Sequence, residues 1–99
     1  MKIIKDLVEH IDEELESAKD YAEKYVECKA KGNINNANKY KEMANDELKH
    51  ASYIHEIAVA EISQVEKIYT APVEMQEKWG KSHKEYVEKS AWIRQMLSM

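Results

Sequence analysis

A chain of 99 residues with a net charge of −4 is one domain long, and 43% hydrophobic with 34% charged residues, two Gly and one Pro is a helical composition. Acidic and basic residues are mixed along it, with no basic stripe for a phosphate backbone and no apolar run near the roughly 20 residues that cross a bilayer, so neither nucleic acid nor membrane is an expected partner. Cys28 stands alone, which excludes an internal disulfide or a thiolate metal cluster within one chain, and without a signal-peptide h-region at the start the expected compartment is the cytoplasm.

The first predicted helix covers about residues 3–31. Ile4, Leu7, Ile11, Leu15, Ala18, Ala22, Tyr25 and Val26 recur at three- and four-residue steps, as one face of a helix does. Lys31-Gly32-Asn33 ends it: Gly32 suits the left-handed closing residue, and Asn33, Asn35 or Asn36 can cap the next helix. That second helix is expected over about 35–70, with a stripe of Ala37, Tyr40, Ala44, Leu48, Ala51, Ile54, Ala58, Ile62, Val65 and Ile68. It stops before Ala71, because Pro72 disfavours helical geometry in the preceding residue. The two helices form an antiparallel hairpin, each arm about 45 Å long at 1.5 Å per residue.

A terminal helical segment follows at about 73–97. Gly80, and the capping-box spacing of Ser82 with Glu85, predict a break there and a last helix over about residues 83–97. Trp79, Trp92, Met75 and Met96 read as its packing residues. Two long helices bury one seam, and a last helix half their length leaves apolar surface on both. A homodimer, or a higher even-numbered homo-oligomer, is the simplest remedy.

Chemistry concentrates at Glu47-Leu48-Lys49-His50, which sets a carboxylate and an imidazole one turn apart. Among 99 residues with 4 His and 19 acids, about one such pair arises by chance, so the motif alone is weak. Placement strengthens it. Glu47 falls within the series Tyr40, Ala44, Glu47, Ala51, Ile54, and Glu14 within Leu7, Ile11, Glu14, Ala18, Tyr21, so both carboxylates are expected on buried faces. Unpaired, such a group costs several kcal/mol, which is why buried carboxylates are normally paired or bound to metal. In a hairpin turning at Gly32, Glu14 is nearly level with Glu47 and His50. One Glu from one helix and Glu-x-x-His from the next is half the ligand set of a carboxylate-bridged di-iron bundle, and a two-fold partner supplies the other half. Four carboxylates balance two divalent cations, and oxygen and nitrogen donors without sulfur favour iron, with manganese as the alternative, over structural zinc. His10, one turn before Glu14, either steadies that ligand or is an interfacial histidine. Tyr21, Tyr25 and Tyr40 read as core or seam residues, and His55 and His83 have no partner identifiable from spacing.

Glu13-Glu14-Leu15-Glu16 with Tyr21, then Asp46-Glu47-Leu48-Lys49-His50-Ala51, resembles the encapsulated ferritin family of the ferritin-like superfamily over about the first 65 residues. The resemblance implies a half-ferritin chain that dimerises into a four-helix bundle, with a ferroxidase site between two chains and dimers assembled in an annulus. Carried over by position, Glu14, Glu47 and His50 are catalytic iron ligands, two irons per dimer. Tyr21 stands behind the ligands, and Glu13 and Glu16 lie on iron's path inward. The family is tethered inside an encapsulin shell by a C-terminal targeting tail. This chain ends at Met99 directly after its last helix, so the shell is an implied partner for which no tail is expected, and Asp20 stands where the family tends to carry an aromatic residue.

The leading expectation is an all-α ferroxidase that oxidises Fe(II) with oxygen or peroxide for storage or detoxification. The alternative is a metal-free helical module of a larger assembly, such as a phage-encoded scaffold. A rubrerythrin-like peroxidase is disfavoured because the rubredoxin-type cysteines are missing.

Overall fold

The computed structural model describes residues 2–68 and 70–99, and every regular element among them is helical: α1 (Lys2–Ala30), α2 (Ile34–Ile68) and α3 (Val73–Leu97). Among the described residues no helix is long and apolar enough to cross a membrane.

The turn between α1 and α2 is fixed by local chemistry. Gly32 takes φ +78, and the bonds Asn33 N–H to Cys28 O (2.9 Å) and Gly32 N–H to Lys29 O (3.1 Å) are the paired closure of a Schellman motif. Asn33 then caps α2, its Oδ1 accepting from the Asn36 N–H at 3.2 Å. With the turn so short, contacts ascend α1 as they descend α2. Tyr25 meets Lys41, Tyr21 stacks on Tyr40, and Glu14 meets His50.

A seven-residue repeat keeps the seam aligned. Ile4, Ile11, Ala18 and Tyr25 are buried on α1, with Val8, Leu15 and Ala22 beside them, and Ala37, Ala44, Ala51, Ala58 and Val65 are buried on α2. The alanines admit close approach, while Ile11 and Leu15 supply bulk worth about 1.5–3 kcal/mol each when buried. Tyr21 and Tyr40 are half-buried at the edge of this seam, and Cys28 packs against the core as a small hydrophobe.

Several sequence expectations are corrected here. The second helix ends at Ile68 with Thr70 outside it; the intervening Tyr69 lies outside the described residues. Ile68, expected in the stripe, is 80% exposed: among the described residues the buried part of the stripe ends at Val65. The break at Gly80 is absent, and α3 runs unbroken for 25 residues. Ser82 is no cap: it is buried against neighbouring helices, where packing outweighs a local capping preference. Trp92, expected to pack, is 48% exposed beneath the Lys19 ammonium.

A full-length α3 covers one side of the α1–α2 pair through Met75, Ile93 and Leu97, and its last residues are tied back by the Lys29 ammonium, which donates to the Met99 carbonyl. The assembly is a rod, 55 × 17 × 17 Å, with a radius of gyration of 16.0 Å. A compact domain of this length has about 13 Å, so much helical surface has no neighbour within the chain.

The two glycines give opposite expectations. Gly32→Ala places a Cβ in left-handed backbone and is expected to cost about 1 kcal/mol, whereas Gly80→Ala, in helix interior with open space around the new Cβ, is expected to gain roughly 0.5–1 kcal/mol. Urea midpoints of the two variants check the pair. Equal signs would refute the reading of both backbones.

Candidate metal centre

α3 decides which side of the α1–α2 seam stays open. Lys81, Glu85 and Lys89 of α3 face Asp12. Glu14, two residues later, points about 200° around the helix axis from Asp12, onto the side that α3 leaves bare. On α2 the bare side carries Met43, Glu47, His50 and Ile57, at steps of four, three and seven residues that keep them on one helix face.

Here Glu14, Glu47 and His50 come together, each offering a donor atom within 4.8 Å of the others. His50 Nδ1 lies 3.6 Å from Glu14 Oε2 and 3.9 Å from Glu47 Oε1. These gaps are too long for hydrogen bonds, yet two ligands held at about 2.1 Å from one ion span up to about 4.2 Å, so an ion fits among them after small side-chain turns. The two carboxylates are half-buried, at 18% and 23% side-chain exposure, rather than fully buried as their stripes imply, and His50 is exposed at 54%. The site therefore sits in the floor of an open face.

His10 reaches Glu14 directly, with Nε2 and Oε1 3.1 Å apart. Tyr21 lies two turns along α1 from Glu14, stacked on Tyr40 with ring centroids 6.3 Å apart, so it flanks the site. Glu13 and Glu16 are exposed and outside the cluster. His55 and His83, unpartnered as far as spacing tells, face each other across α2 and α3. They lie 28 residues apart, and only the packing of α3 joins them.

The electrostatics are those of two acids forced together. A hydrogen bond between Glu14 and Glu47 lowers Glu14 below the usual carboxylate range, against the opposing effect of burial and with help from His10 and His50. The same bond, then burial and the Glu14 charge, push Glu47 up to about 6. Below about pH 6 the pair shares one proton, carried by Glu47; above it two like charges face each other, where a cation would satisfy both.

This has a consequence for stability. Glu47 binds its proton more tightly in the folded chain, so its contribution is fully present below the ordinary value of 4.5 and lost as pH rises through about 6. Glu14 acts oppositely, its contribution being present above 4.5 and lost as pH falls through its depressed value. Metal-free protein is expected to lose stability between pH 4.5 and 6, and Glu47→Gln to flatten that limb in denaturant titrations run across the range. An unchanged slope in the variant would remove the carboxylate pair as its cause.

The same three residues combine acid oxygens and an imidazole nitrogen with no sulfur, a donor set suited to iron, manganese or zinc. No protein-family model, curated protein or solved structure matches this chain.

Proposed function

We propose that the chain is half of a ferritin-like ferroxidase: two copies pair their open faces, two hairpins make a four-helix bundle, and two Fe(II) ions bind between them as substrate. The observation that carries the reading is the convergence of Glu14, Glu47 and His50, from two helices, on an uncovered face. Three donors from one chain leave an ion under-coordinated, and a two-fold mate brings three more.

The residues fit the ion. Crowding of Glu14 and Glu47 raises one acid to about 6, which is the signature of carboxylates short of positive charge, and a divalent cation relieves it better than one shared proton does. In the dimer Glu14, Glu47 and His50 of each chain would hold the ions, with Glu14 or Glu47 as the carboxylate shared between them. His10 holds the Glu14 carboxylate in place. Two Fe(II) supply two electrons. Hydrogen peroxide with two protons becomes two waters, while oxygen with two protons becomes peroxide, and two Fe(III) are left for storage or disposal. The four carboxylates offset the charge gained on oxidation. Manganese suits the same donors as a bound alternative.

A second reading, a metal-free module of a larger assembly, draws on the contact by which His10 already partners Glu14. The two separate in one experiment: anaerobic Fe(II) titration of purified protein, followed by aeration, with native mass measured alongside. The ferroxidase reading expects one iron per chain, bound only by the dimer and oxidised faster than in buffer. An even-numbered assembly indifferent to Fe(II) supports the module.

A further inference from the structure

α2 and α3 meet through a cluster of rings that the iron reading does not use. His55 on α2 lies 4.4 Å from the Tyr86 ring, nearly parallel at 16°, and 5.1 Å from Trp79, both on α3. Its Nε2 faces Nδ1 of His83 at 2.9 Å. Two ring nitrogens that close cannot both present bare lone pairs: either one carries a proton that the other accepts, or a cation lies against both. Burial, then the charge on His83, holds His55 below the ordinary histidine range, with Glu56 opposing.

We propose that His55 and His83 form a second, independent metal site that takes one Cu(II), Ni(II) or Zn(II) ion per chain and joins α2 to α3. Imidazole donors without a carboxylate suit these ions, in contrast to the oxygen-rich cluster on the other side of the seam. The spacing suits them too. Two imidazole nitrogens at about 2.05 Å from one ion lie about 2.9 Å apart at a right angle and about 3.3 Å apart at the tetrahedral angle, so His83, which is exposed, needs little more than a ring turn. Tyr86 and Trp79 hold His55 in place before an ion arrives, and water completes the coordination.

The test uses Cu(II) alone, because a paramagnetic ion quenches a nearby indole and Trp79 stands beside His55. The full chain carries Glu47→Ala and His50→Ala to remove the other cluster, and Trp92→Phe so that Trp79 alone emits. Expected is quenching that saturates at one Cu(II) per chain, with Zn(II) alone raising the thermal midpoint and, in large excess, competing with Cu(II). Both effects are expected to vanish in His83→Gln and in His55→Gln, with helical circular dichroism retained at least in the former. Quenching that persists in His83→Gln, binding that disappears with His10→Gln instead, or a titration that never saturates overturns the proposal. None of these outcomes bears on Fe(II) at the Glu14, Glu47 and His50 cluster, two of whose three ligands the background variant lacks.

Discussion

Replacing Glu47 with alanine is expected to weaken Fe(II) binding on the order of 100-fold or more and to return the oxidation rate to that of buffer, because a direct ligand counts for more than a supporting partner, whose loss costs about 10- to 100-fold. His10→Ala, which removes the hydrogen bond to Glu14 at 3.1 Å and no ligand, is expected to fall within that smaller range. Stability separates a binding site from a structural ion pair. Glu47 is pushed up to about 6 by Glu14 and burial, so without metal its removal relieves a repulsion, and Glu47→Ala is expected to leave the fold at neutral pH as stable as the parent or more so. Loss of iron binding with retained stability is the outcome the ferroxidase reading requires. A variant that unfolds, or that oxidises iron as the parent does, removes Glu47 from the role of ligand.

The parts that spacing foretells are those set by short-range chemistry. Gly32 and Asn33 place the turn, the three- and four-residue steps place the buried stripes, and counting outward from the turn brings Glu14 level with Glu47 and His50. Three features escape this arithmetic. Gly80 sits mid-helix because a glycine there costs only about 1 kcal/mol, which the packing of Met75, Ile93 and Leu97 exceeds. Ser82 has the spacing of a cap and the burial of a core residue, and periodicity within α3 cannot tell the two apart without knowing how the helix rests on α1. His55 finds His83 only through that same docking. The degree of burial at Glu14 and Glu47 is a fourth case: stripe membership marks direction, whereas exposure depends on which face α3 covers.

Met43 and Ile57 flank Glu47 and His50 on α2, at 39% and 51% exposure, and Tyr53 three residues beyond His50 is also uncovered. If this surface pairs with its own copy, the interface is isologous, and each introduced charge is buried twice, once from either chain. Met43→Glu with Ile57→Glu is therefore expected to raise the dimer dissociation constant on the order of a thousandfold, since an unpaired carboxylate in such a seam costs several kcal/mol. Neither residue is a metal donor, yet iron binding is expected to fail with dimerisation, because one chain supplies only Glu14, Glu47 and His50. Native mass and iron stoichiometry measured on the same samples decide it. A monomeric variant that still binds and oxidises one iron per chain shows that a single chain completes the site, and the two-fold arrangement falls while the ligand set stands. A variant that remains dimeric at low concentration places the interface on another face, and with it the route by which two ions come together.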